Sequence, residues 1–194
     1  KILKKLKNSE LKRLAENFYN DTYLVDQNAC SSPHLVVWLG KGDKKNKLKF
    51  WQYLNEVVKK KYDISHFASM DKITKLYRDI IELKNLNNFI NFESNLHIIN
   101  LKSLNQNNHE MRGKWGFFYE FETDKLEKIN KFINKKYQTL TYFGLKKISI
   151  SKFVKKNKLK GIDRIVPIGQ SLNMNFFWDG YDINRILTRV IDIQ

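Results

Sequence analysis

Apolar residues at Leu3, Leu6, Leu11, Leu14 and Phe18, with lysine and glutamate between them, predict an amphipathic helix over Leu3 to Tyr19. A short polar passage follows. The β-branched run His34 to Leu39, closed by Gly40 and Gly42, predicts a buried strand. Helical spacing returns over Asn46 to Tyr62, with Leu48, Trp51, Leu54 and Val58 on one face. It recurs over Ile64 to Leu83, where Ser69 or Asp71 is a candidate cap and Ile73, Leu76, Tyr77, Ile80 and Ile81 fall at helical steps. Asn88 to Leu101 carries two strand-like runs, NFINF and LHIIN, and Ser103 to Glu110 reads as a polar loop.

The second half repeats this alternation. Trp115 to Phe121 predicts a strand, and Thr123 or Asp124 then caps a helix through Lys135. Strands are expected at Thr139 to Phe143 and Ile162 to Ile168, with a short helix at Ile150 to Lys158 between them. Leu172 to Gly180 is an aromatic-rich loop, and Tyr181 to Ile193 a last helix. Strands alternating with helices define the α/β class. No internal repeat, linker or domain break interrupts the 194 residues, so one domain is expected.

Composition adds little to that picture but narrows the chemistry. With 42% hydrophobic residues, 13% aromatic residues and 2 prolines, the chain has the material of a packed core. A single cysteine rules out an internal disulfide, and the four histidines (His34, His66, His97, His109) lack zinc-ligand spacing. No run approaches the ~20 apolar residues of a membrane span, and a cytoplasmic location is expected. The net charge of +16 is compatible with a polyanion partner. The lysines are spread along the whole chain, however, and Asn and Ile are also abundant. This favours a compositional bias, with a phosphate-bearing ligand as a lesser reason.

The lone Cys30 sits in a short polar loop, DQNACSSPHLVVW (Asp26 to Trp38), rather than inside the apolar run beside it. Ala29, Ser31 and Ser32 leave space around the sulfur and leave backbone N–H groups free for an oxyanion. Asn28 and the serine hydroxyls add donors, and Pro33 fixes the loop exit. Nucleophile and buried filler are both open on this reading. His34 is a candidate base for the thiol or a structural histidine.

The segment DTYLVDQNACSSPHLVVW (Asp21 to Trp38) resembles the nucleophile segment of the LuxC-type acyl-CoA reductases, relatives of the aldehyde dehydrogenases. GKWGFFYEFE (Gly113 to Glu122) and GIDRIVPIGQSLNMNFFWDGYD (Gly161 to Asp182) fit the same family in the same order. The resemblance implies an aldehyde-dehydrogenase-like catalytic domain, a central sheet with flanking helices, spanning 1–194. The chain would be the C-terminal part of a longer reductase whose nucleotide-binding domain is mostly missing. The implied reaction reduces a fatty acyl-CoA thioester to the aldehyde with NADPH, through an acyl group carried on Cys30. Cys30 N–H is the first candidate oxyanion donor, and Asn28 is expected to orient the loop. By the same analogy Glu110, in Glu110-Met111-Arg112-Gly113, would touch the cofactor ribose, although Arg112 stands where the family pattern has an aromatic residue. Phe176, Phe177 and Trp178 would face the acyl chain, or serve as ordinary core aromatics.

Two other readings remain. A non-redox acyl-thiol transferase would use the same cysteine without nicotinamide. A basic nucleic-acid module would use the lysines with exposed aromatics such as Trp115 and Tyr119, but no clustered basic strip interleaves with them. The expected partners are fatty acyl-CoA and an acyl-transferring protein, with no nucleic acid. Homo-oligomerisation is left open.

Overall fold

A computed structural model describes residues 2–40 and 42–193. A four-stranded mixed sheet in the order β1-β4-β3-β2 forms the centre. Its strands are β1 (Leu35–Leu39), β2 (Leu86–Phe92), β3 (Leu96–Leu101) and β4 (Phe117–Thr123). β4 runs parallel to both β1 and β3, with Leu35 opposite Tyr119 and His97 opposite Phe117. β2 pairs antiparallel with β3 as a hairpin.

The period-2 alternation of the strands builds two cores. Val36 and Trp38 of β1, Phe118 of β4, and Leu96 and Ile98 of β3 share one face. Helices α1 (Asn8–Thr22) and α2 (Lys44–Lys61) cover it. α1 buries Leu11, Leu14, Ala15, Phe18 and Tyr19, the i, i+3, i+4, i+7, i+8 stripe of an amphipathic helix. Leu35, Val37, Phe117, Tyr119, Ile99 and Leu101 point the other way, under Leu76 of α3 (His66–Glu82) and Phe153 of α4 (Lys147–Asn157). The buried Glu120 carboxylate ties the sheet to α2. It accepts from the indole N–H groups of Trp38 (2.7 Å) and Trp51 (3.0 Å) and from the Asn100 amide (3.0 Å).

β5 (Thr139–Tyr142) and β6 (Arg164–Pro167) form a separate parallel pair. β7 (Phe177–Trp178) and β8 (Tyr181–Asp182) form a small hairpin. Asp179 (φ 50°) and Gly180 (φ 78°) turn it with both central residues left-handed, the Asp-Gly turn that suits strand twist. The α/β class is thus observed, as a mixed sheet with helices on both faces. No helix among the described residues is long and apolar enough to cross a membrane.

Several expected elements differ: α4 starts at Lys147 rather than Ile150, and the expected loop Leu172 to Gly180 holds β7. The first helix begins at Asn8, because Lys7 is extended and donates its N–H to the Glu10 carboxylate at 2.7 Å; Leu3–Lys5 is a separate 3-10 turn. α3 starts at His66, capped by Ser65 Oγ on Ala68 N–H (3.2 Å), so Ser69 and Asp71 lie inside it. The expected helix through Lys135 is a 3-10 segment, Leu126–Phe132. Its apolar residues 126, 129 and 132 are spaced by three, which a 3-10 helix stacks on one side. The last helix is only α5 (Ile183–Leu187). Ile186, Leu187, Val190, Ile191 and Ile193 are exposed, so no buried face supports a longer helix.

Candidate active site around Cys30

α1 ends in a 3-10 turn, Tyr23–Val25, and the chain then takes two consecutive left-handed residues, Asp26 (φ 53°) and Gln27 (φ 60°). Such conformations cost a non-glycine residue roughly 1–2 kcal/mol each, and the surroundings hold both. Tyr62 donates its hydroxyl to the Asp26 carboxylate at 2.5 Å. The buried Gln27 side chain uses its full hydrogen-bonding capacity. Its amide N–H₂ donates to the carbonyls of Pro33 (2.9 Å) and Phe117 (3.0 Å), and its oxygen accepts from Gly116 and Phe117 N–H, both at 3.1 Å. Gln27 therefore fastens both ends of the cysteine loop to the start of β4. A glutamine three residues before a lone cysteine carries no sequence signal for this role.

A second tie closes the loop from the other end of the chain. Asp21, buried at the end of α1, accepts from Gly169 N–H (2.7 Å) and Ser171 N–H (2.8 Å). Burial raises its pKa, opposed by those N–H bonds and by the charge of Arg164. Arg164 in turn donates to the carbonyls of Ser171 (2.6 Å) and Gln170 (2.9 Å). Gln27 and Asp21 thus join the three stretches Asp21–Trp38, Gly113–Glu122 and Gly161–Asp182 in space.

Within this frame Ser32 N–H bonds Ala29 C=O at 3.0 Å, closing a turn with Cys30 at its second position. The Cys30 and Ser31 N–H groups have no hydrogen-bond partner among the described residues. Cys30 is exposed and lies on the wall of a cavity of about 150 Å³. Leu35 and Val37 of β1, Leu104, Ile129, Phe132 and Leu140 supply apolar wall, while Ser32, His34, Asn108, His109 and Arg112 supply polar groups. The Ser32 hydroxyl is buried without a partner among the described residues.

His34 lines the same cavity, and neither ring nitrogen makes a well-formed hydrogen bond. Burial pushes its pKa down to about 4, helped by the Arg112 charge and opposed by a backbone contact at Gly113. The imidazole is therefore neutral at pH 7. It is a much weaker base than an ordinary histidine, poorly matched to a general base that works best near the operating pH. Its position fits polarity at the cavity wall better than proton abstraction.

The remaining sequence candidates are dispersed. Asn28 is exposed and off the cavity wall; its backbone N–H bonds Val25 C=O at 2.8 Å, so it helps shape the loop through the main chain. Glu110 is exposed on the 3-10 turn Asn108–Glu110, 3.6 Å from His109 Nε2, and does not reach the cavity. Phe176 and Phe177 are 63% and 67% exposed and Trp178 packs over the Arg164 guanidinium at 4.7 Å. None of the three lines the cavity, and the first two are not core. Tyr119, expected to be an exposed aromatic on the nucleic-acid reading, is buried and donates to Asp79 at 2.5 Å. The residues that sequence reasoning missed are Gln27, Asp21 and the wall residues from 104–112 and 129–141. Among the described residues no three His, Cys, Asp or Glu side chains gather as metal ligands. No protein-family model matches the chain, and no curated protein is significantly similar to it.

Proposed function

We propose that this chain carries an acyl group on Cys30, as the catalytic part of an acyl-CoA reductase. The observation that supports it is the cysteine turn: an exposed thiol beside two unpaired N–H groups, at the wall of a largely apolar cavity. The Cys30 sulfur, as thiolate, attacks the thioester carbonyl, and its S–C bond forms. The Cys30 and Ser31 N–H groups serve as donors to the resulting oxyanion, a contribution of ~2.7–4 kcal/mol for each well-placed donor. The oxyanion collapses, the bond to the coenzyme A sulfur breaks, and coenzyme A leaves as its thiolate. A cavity of about 150 Å³ matches one that holds a benzene ring, so it takes the carbonyl end of a fatty chain and not its full length.

NADPH is the hydride source that reduction of the acyl-cysteine requires. The residues present fit acylation more fully than they fit a dinucleotide, because the one carboxylate assigned to the ribose, Glu110, faces solvent away from the cavity. The same geometry serves transfer of the acyl group to an acceptor thiol or alcohol, and dependence of product on NADPH separates the two outcomes. Mass spectrometry after incubation with a fatty acyl-CoA is the test. The wild-type chain should gain one acyl mass and Cys30→Ala should gain none. An equal adduct on Cys30→Ala would refute the reading.

A further inference from the structure

Behind the cysteine site lies a second pocket, of about 90 Å³, at the junction of α3 and the segment leading into β4. Four cationic side chains line it: Lys72, Lys75, Arg112 and Lys114. Asp71 is the only carboxylate on its wall among the described residues. Lys75 is matched by Asp79 at 3.1 Å, and Lys114 lies over the Trp115 ring at 5.5 Å. Lys72 is different. Its side chain is buried, with the residue 1% exposed, and no carboxylate among the described residues comes within ion-pair distance. Its ammonium makes one hydrogen bond, to Trp115 C=O at 2.7 Å, so two of its three N–H donors have no partner among the described residues. Trp115 presents that carbonyl from a left-handed backbone (φ 53°).

A buried ammonium without a counter-charge is a costly arrangement unless an anion completes it. Burial alone pulls the Lys72 pKa down to about 7. Arg112 lines both this pocket and the Cys30 cavity, which makes the two neighbours. We infer that the Lys72 pocket binds a phosphate group of a nucleotide whose reactive end lies at Cys30. The link to Cys30 rests on the acyl-transfer reading above; the phosphate site itself does not. Two nucleotides fit the chemistry, the 3′-phosphorylated ADP of coenzyme A and the 2′-phosphorylated ADP of NADPH. A phosphate would accept the free Lys72 N–H groups and the Arg112 guanidinium, with Trp115 at the rim.

Titration calorimetry on the whole chain tests this, with 3′,5′-ADP, 2′,5′-ADP and inorganic phosphate as probes. One bisphosphate should bind better than inorganic phosphate, and the preferred isomer identifies the source. Lys72→Met should weaken it about 10–100-fold, the loss of one charge-assisted bond. Arg112→Gln, at the wall shared with the Cys30 cavity, should weaken it as well, and Lys12→Met on the far helix should not. Repeating the titration at pH 8 in buffers of different ionisation enthalpy should reveal proton uptake on binding in the wild type and none in Lys72→Met. Equal affinity in wild type and Lys72→Met, or no binding at millimolar probe, overturns the site. Binding of inorganic phosphate as tightly as either bisphosphate overturns the nucleotide. If the bisphosphate binds through Lys72 but acyl-CoA leaves no mass on Cys30, the pocket stands and the acyl-transfer reading falls. If Cys30 is acylated while Lys72→Met leaves probe binding unchanged, acyl transfer stands and the pocket falls.

Discussion

Replacing Lys72 by methionine should make the protein more stable, and by an amount that depends on pH. The side chain keeps its length and loses its charge. A lysine ordinarily titrates at 10.5, and burial lowers Lys72 to about 7. At 1.36 kcal/mol per pH unit that difference is about 5 kcal/mol of unfavourable charge burial, fully present below pH 7. Removing the ammonium also strands the Trp115 carbonyl it bonds, a loss of about 1–3 kcal/mol. The net gain for Lys72→Met is therefore about 2–4 kcal/mol at pH 7 and below. Between pH 7 and 10.5 the unfolded chain still holds the lysine proton while the folded one has released it. Wild-type stability therefore climbs with pH through that window, and the advantage of the variant shrinks by about 2 kcal/mol between pH 7 and pH 9. The other charged groups nearby are Asp71, Lys75, Asp79, Arg112 and Lys114, all present in both proteins. His97, whose pKa burial and the Lys72 charge lower to about 4, stays neutral across this range. Urea unfolding at several pH values is the assay, with a midpoint shift of roughly 1 M expected for 2 kcal/mol. A difference that is flat from pH 7 to 9, or a variant less stable than wild type at pH 7, would refute the account of Lys72 as an uncompensated buried cation.

The other predictions concern the cysteine turn and its frame. Gln27→Leu should cost about 3 kcal/mol or more by stranding buried Phe117 and Pro33 backbone groups, and should slow Cys30 acylation in single-turnover mass spectrometry more than a distant variant of equal instability. The His34 pKa of about 4 lies below the ordinary 6.5, so the unfolded chain takes up the proton first and stability falls as pH drops from 6.5 towards 4. His34→Gln should remove about 3 kcal/mol of that acid sensitivity, read as a smaller change in unfolding midpoint between pH 7 and pH 4.5. Gly116→Ala should destabilise by more than about 4 kcal/mol. The added Cβ would sit 1.9 Å from the Tyr23 hydroxyl at a φ of +84°, and a normal melting temperature would contradict the packing described.

Most strands were legible because half-buried alternation leaves a strong trace: Leu35–Leu39, Leu96–Leu101 and Phe117–Thr123 fall within two residues of expectation. The two largest failures share one physical cause. Residues 124–135 and 188–193 carry apolar spacing, but whether spacing becomes a helix depends on a partner surface, which is a tertiary fact. For the candidate site, the chain advertised Cys30 through its small polar neighbours. It gave no hint of the cavity, whose wall is assembled from β1, the 104–112 loop and β5. Glu110, Phe176 and Phe177 were read from local motif, and the fold turns all three towards solvent. Lys72 was invisible for the reverse reason. One lysine among many in a basic chain looks solvated until α3 is laid against β4.

The Asp21 carboxylate meets its N–H partners 148 and 150 residues further on. A ribosome adding about 5–20 residues per second needs roughly 7–30 s to cover that distance. Throughout that interval the thiol segment lacks its clasp. Closure of the cysteine loop is thereby deferred until synthesis has passed Ser171, and chains stalled before Gly169 would emerge with an unlatched cysteine.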